Sequence, residues 1–107
     1  MSDSVLSELA ATIRARRKES ADKSYTRELL DGGGQKCAKK LGEEAIETVI
    51  AATAEDDDAL RAEAADLVYH LLVLLEARGI EITDVLDILR GRMGVSGLDE
   101  KRSRPGH

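Results

Sequence analysis

At 107 residues, with 42% hydrophobic and 35% charged side chains, the chain has the make-up of one globular domain and no room for a second core. A formal net charge of −5 lacks the basic footprint that nucleic acid or an anionic membrane surface requires. Aromatic residues are nearly absent, with two Tyr and no Phe or Trp, so the core must come from Leu, Ile, Val and Ala. Helices of that composition bury little apolar area on their own, and a homodimer or larger homo-oligomer is expected to complete the core. The single cysteine, Cys37, has no partner for an internal disulfide, and no basic-then-apolar signal segment opens the chain. The most apolar run, Ala64–Leu75, is interrupted by Asp66 and His70 and falls short of the roughly 20 residues needed to span a bilayer. A cytoplasmic location is expected.

Taken in chain order, Val5, Leu6, Leu9, Ala10 and Ile13 recur at helical spacing and predict an amphipathic helix over 4–18. A polar stretch, Arg16–Ser24, leads to a short helical turn at Tyr25–Leu30, which Gly32–Gly34 ends. The triple glycine lacks the spacing of a phosphate-binding loop and reads as a hinge between helical segments. A long helix is predicted from Gln35 to Ala54. The acidic run Glu55–Asp58 makes a turn and a favourable helix start, and a third long helix follows from Asp58 to Ala77, closed by Arg78-Gly79. Thr83 or Asp84 can cap a last helix reaching Arg92, and the polar tail 96–107 reads as loop. Strand alternation and internal repeats are absent from the pattern, so the class is all-α.

Two acidic patterns carry the chemistry. The second long segment holds Glu43-Glu44-x-x-Glu47, on one helical face with Lys36 and Lys40. Cys37, Ala38, Leu41, Ala45, Thr48, Val49 and Ala52 form the opposite, apolar face. Alone, such a face is a solvated stripe laced with Lys40–Glu44 and Lys39–Glu43 pairs. The third segment changes that reading. Between Ala64 and Leu75 only Asp66 and His70 are polar, so the helix reads as buried, with Glu63 and Asp66 beside or within the core. A buried carboxylate needs a base, a shared proton or a cation. An antiparallel pairing of the two helices sets Glu63 and Asp66 opposite Glu44 and Glu47. Hard oxygen donors at that density suit Mg²⁺, with Mn²⁺ as an alternative. His70, one turn after Asp66, is expected as a core histidine whose ring N–H meets a carboxylate or carbonyl, and Cys37 as a packing residue.

The string Lys39-Lys40-Leu41-Gly42-Glu43-Glu44-Ala45-x-Glu47, then Glu63-Ala64-Ala65-Asp66-Leu67-x-Tyr69-His70-Leu71, resembles the phosphoribosyl-ATP pyrophosphohydrolases of histidine biosynthesis. The flanks Ser24-Tyr25-Thr26 and Ser96-Gly97-Leu98 with Lys101 resemble them too, and the likeness runs from Leu6 to Arg104 as one domain spanning 1–107. The acidic core alone is shared with the wider MazG-like all-α nucleotide pyrophosphohydrolases. This resemblance implies a bundle of four to five helices completed by oligomerisation, usually as a dimer. It also implies Mg²⁺-dependent hydrolysis of 1-(5-phospho-β-D-ribosyl)-ATP to the AMP derivative and pyrophosphate. Carried over by position, Glu44, Glu47, Glu63 and Asp66 correspond to metal ligands, and Lys39 and Lys40 to the basic pair beside the phosphates. Lys101, Arg102 and Arg104 are expected to close over the substrate. Glu43 or Glu47 is the expected proton acceptor for the attacking water. Two rivals remain at this level: a MazG-like enzyme acting on another nucleotide, and a non-enzymatic helical interaction module whose acidic face is only solvated.

Overall fold

The computed structural model describes residues 2–20 and 24–94, with side chains from Val5 onward. Among them are five α-helices: α1 (Ser2–Ala15), α2 (Tyr25–Asp31), α3 (Gly33–Ala54), α4 (Asp57–Ala77) and α5 (Ile82–Met93). A short 3-10 turn, Arg16–Lys18, follows α1, and the described residues include no strand. The all-α expectation therefore holds. The expected loop over 96–107 lies outside the described residues.

Helix boundaries follow local chemistry and shift the predicted ends by a few residues. The basic run Arg16-Arg17-Lys18 tightens into the 3-10 turn instead of prolonging α1. Ser24 caps α2, its hydroxyl accepting from the Arg27 N–H at 3.1 Å. The hinge between α2 and α3 is tighter than the triple glycine suggests: Gly33 at φ +80° already opens α3, a left-handed conformation that side chains rarely adopt. Asp56 caps α4 by accepting from the Ala59 N–H at 2.9 Å. The end of α4 is a Schellman motif. Gly79 at φ +69° donates its N–H to the Glu76 carbonyl at 3.1 Å, while Ile80 donates to the Leu75 carbonyl at 2.9 Å. The last helix starts at Ile82 with Glu81 at the cap and makes no side-chain cap bond, so Thr83 and Asp84 fall inside its first turn.

Only Glu55 and Asp56 separate α3 from α4, which forces the two long helices into an antiparallel pair. They pack along most of their length, α1 lies across α4, α5 packs on α1, and α2 sits against both α3 and α4. Ile13, Leu29, Cys37 and Val73 are the largest fully buried side chains. The Cys37 thiol also donates to the Leu29 carbonyl at 3.3 Å, so this cysteine is a packing residue.

The stripe of α3 that faces inward is Cys37, Leu41, Glu44, Thr48 and Ala51, alternating four- and three-residue steps. It runs between the two faces inferred from the sequence. Along it the helices come close enough for the Thr48 hydroxyl to stand 3.4 Å from the Glu63 carbonyl. As a result Ala38, Ile46, Val49, Ile50 and Ala52 are left outside, and Glu44 is drawn in.

Arg14 and Arg17 clamp α1 and its 3-10 turn to the end of α4. Arg17 Nε meets Glu76 Oε2 at 2.5 Å, and Arg14 reaches both Glu76 and Glu81 at 3.2 and 2.9 Å. Arg17 further donates to the Glu76 carbonyl at 2.8 Å. Burial alone would raise the Glu76 carboxyl, but hydrogen bonds and charge from the two guanidinium groups outweigh it and hold it below the ordinary 4.5. A carboxylate lowered in the folded state adds stability above its unfolded pKa and loses it as pH falls through the folded value. Below about pH 4.5, the parent's Tm should therefore fall more steeply than that of Glu76→Gln. At neutral pH that variant should be less stable by about 1–2 kcal/mol in urea denaturation.

Candidate active site

The antiparallel α3–α4 pair sets Glu44 across from Glu63 and Asp66, with one carboxylate oxygen from each lying within 4.8 Å of the others. Glu44 and Glu63 are half-buried and Asp66 is exposed. The position of Asp66 differs from the expectation of a residue beside or within the core. Helix α4 is covered by α1, α2 and α3 on part of its surface only, and Val68 and Leu71 also lie outside.

The electrostatics follow from that crowding. Burial raises the Glu44 carboxyl above its usual value, and hydrogen bonding with Glu47, the Glu47 charge and the Asp66 charge add to it, against a lowering by His70. Glu63 is raised likewise, by burial first and then by the charges of Glu47 and Asp66. Glu47, one turn beyond Glu44, thus adds its charge to the cluster while standing outside the group of three. Carboxyls raised on both helices mark a place short of positive charge.

The basic residues divide. Lys40 Nζ pairs with Glu43 Oε1 at 3.1 Å, an i,i+3 contact in place of the i,i+4 bond to Glu44 that the spacing offered. Its charge is nonetheless felt by Tyr25 and Glu44. Glu44 faces α4, while Glu43 stays on the exposed side. Lys39 is exposed and displaced by about 100° around the helix from Lys40. Lys101, Arg102 and Arg104 lie outside the described residues.

Behind the carboxylates is a polar assembly of which the sequence pattern showed only part. His70 is buried, and its Nδ1 stands 2.9 Å from the Asp66 carbonyl. A carbonyl only accepts, so Nδ1 carries a proton, and in the neutral ring Nε2 presents a lone pair. The Tyr25 hydroxyl donates to that Nε2 at 3.4 Å. Tyr69 packs edge-on against His70, with centroids 4.9 Å apart, and its hydroxyl is hydrogen-bonded to Thr26. His70 is therefore the satisfied core histidine expected from its surroundings. Tyr25 entered the sequence reading only as part of the Ser24-Tyr25-Thr26 flank, and its contact with His70 was not foreseen. Its signal was present but faint: one of only two aromatics, directly after a serine cap.

A cavity of about 450 Å³ opens elsewhere, lined by Gly34, Gln35, Ala38, Leu74 and Arg78. Its α3 residues lie about 9–15 Å from Glu44 along the helix, at about 1.5 Å per residue, and it is lined by none of the carboxylates. Three converging carboxylates without thiol or imidazole form a hard oxygen donor set, which fits a divalent cation of the magnesium, manganese or calcium kind.

Comparison with known proteins places this geometry in a family. The family model described as phosphoribosyl-ATP pyrophosphohydrolase matches residues 6–93. Phosphoribosyl-ATP pyrophosphatase 1 of Bradyrhizobium diazoefficiens is 57% identical over 97 residues, covering 91% of this chain and 92% of the relative. The phosphoribosyl-ATP pyrophosphatase of Nitrobacter hamburgensis is 56% identical over 97 residues, covering 91% of each. That of Cereibacter sphaeroides is 48% identical over 100 residues, covering 94% of this chain and 97% of the relative. With its carboxylates gathered between two long helices and its sequence matched nearly end to end, this chain belongs to the phosphoribosyl-ATP pyrophosphohydrolase family.

Proposed function

We propose that this protein hydrolyses 1-(5-phospho-β-D-ribosyl)-ATP to the corresponding AMP derivative and pyrophosphate, the second step of histidine biosynthesis, with Mg²⁺ as cofactor. The observation that carries the reading is the group formed by Glu44, Glu63 and Asp66 within a chain of this family. Glu44, Glu63 and Asp66 would hold the metal, with Glu47 beside them as a further oxygen donor. Magnesium bound there supplies charge neutralisation for the triphosphate and lowers the pKa of an attacking water. Glu47 would be the residue placed to accept a proton from the attacking water. Its carboxyl is exposed and outside the group of three, whereas Glu43, the other candidate, is engaged by Lys40. Lys40 remains close enough to the cluster to offset the negative charge that grows on departing pyrophosphate, with Lys39 as a second cation on the same turn. Lys101, Arg102 and Arg104 would add to this binding of phosphate from the end of the chain.

The enzyme works as a homodimer or larger homo-oligomer in the cytoplasm on this reading. Ile46 and Val49 are 63% and 62% exposed, and Val68 and Leu71 on the neighbouring helix are also uncovered, an apolar surface suited to a second copy. The radius of gyration, 15.8 Å, exceeds the roughly 13 Å of a compact domain of about this length. Among the described residues no helix is long and apolar enough to cross a membrane.

Pyrophosphate release should be measured with phosphoribosyl-ATP, ATP, dUTP and dCTP, each with Mg²⁺ and with EDTA. Turnover of phosphoribosyl-ATP that EDTA abolishes is the expected result; preference for another nucleotide would move the enzyme to a different MazG-like activity. Asp66→Asn should lower turnover at least about 100-fold. Thermal denaturation should show the parent's Tm rising with Mg²⁺ while that of Asp66→Asn stays flat. An equal rise in both would remove Asp66 from the metal site.

A further inference from the structure

Tyr25 is placed in a way that packing does not require. It opens α2, a helix of seven residues held by the Ser24 cap and by burial of Thr26, Leu29 and Leu30. Its own side chain stays 50% exposed. The hydroxyl is tethered to His70 Nε2, and the Nδ1–H of the same ring is tethered to the backbone of Asp66, a carboxylate of the site. The two rings meet at 75° with centroids 6.1 Å apart, so His70 holds the phenol by its tip and stacks on neither of its faces. Two hydrogen bonds thus separate the Tyr25 hydroxyl from the backbone of Asp66, which sets the ring beside the carboxylate cluster. The other aromatic, Tyr69, is half-buried and hydrogen-bonded to Thr26.

We propose that Tyr25 is the platform on which the substrate's purine stacks, with His70 as the positioning residue that fixes its ring. The carboxylates and lysines deal with phosphate and are indifferent to the base. A planar π-surface beside them supplies what they lack, since aromatic rings bind bases through their faces. His70 acts through Tyr25 by removing the ring's freedom before the nucleotide arrives, a cost that would otherwise fall on binding. This inference rests on the proposed nucleotide hydrolysis, and its test separates the two.

Steady-state kinetics with phosphoribosyl-ATP on the parent, Tyr25→Phe and Tyr25→Leu should show KM raised roughly tenfold in Tyr25→Leu, with kcat changed less than about twofold. Tyr25→Phe, which keeps the π-surface, should stay within about threefold of the parent. Equal damage in both variants would make the hydroxyl the working group and overturn the platform, as would an unchanged KM in Tyr25→Leu. Loss of the Mg²⁺-induced Tm rise in Tyr25→Leu would also overturn it, by showing that the residue only supports the carboxylates. A second readout needs no turnover. In Tyr69→Phe, Tyr25 is the sole remaining tyrosine, and α,β-methylene-ATP with Mg²⁺ should quench its emission while inorganic triphosphate should not. Quenching in a protein that fails to hydrolyse phosphoribosyl-ATP would keep the platform and discard the substrate. Turnover without quenching would do the reverse.

Discussion

Carboxylates on facing helices repel, and the α3–α4 pair holds three of them closer together than charge alone would allow. What keeps them there is steric and topological. A two-residue connection dictates an antiparallel pair, and the close packing of the two helices brings the backbone of α4 within reach of Thr48. Once that spacing is set, Glu44 has nowhere to turn except toward Glu63 and Asp66. The raised carboxyls of Glu44 and Glu63 are the electrostatic trace of a fold that spends packing energy to concentrate negative charge.

The remaining helices compensate for and serve that concentration. The Arg14 and Arg17 clamp on Glu76 sits at the far end of α4, where opposite charges meet and the carboxyl is lowered instead of raised. One helix thus carries a charge-repelling end and a charge-satisfied end. Helix α2 bridges the pair near the site, its short length stabilised by a serine cap and three buried residues. The chain His70–Tyr25 links this helix to the backbone of Asp66. No buried side-chain nitrogen or oxygen among the described residues lacks a hydrogen-bond partner, so the polar groups behind the cluster are anchored.

Much of this was legible in the sequence because it rests on short-range rules. Apolar periodicity, an Asp cap and glycine ends marked the helices, and the two acidic spacings on adjacent helices anticipated that Glu44, Glu63 and Asp66 would face one another. The reading failed where tertiary contact chose between local alternatives. Lys40 could pair at i,i+3 or i,i+4, and the approach of α4 to Glu44 decided it. The inward stripe of α3 could take the apolar face or the adjoining one, and the packing of α4 set it between them. Asp66 looked buried because α4 is apolar on most sides, yet one chain does not cover all of those sides. Tyr25 was marked only as part of a flanking motif, and its tie to the site stayed hidden because its partner, His70, lies 45 residues away.

Asp66 on the solvent side of the group also bears on exchange kinetics. A divalent cation held there by half-buried Glu44 and Glu63 and exposed Asp66 would keep part of its water shell and would exchange readily with solvent. Occupancy of such a centre tracks the free ion in its surroundings from moment to moment. On the proposed reading, competence would then be a property of the medium as much as of the chain.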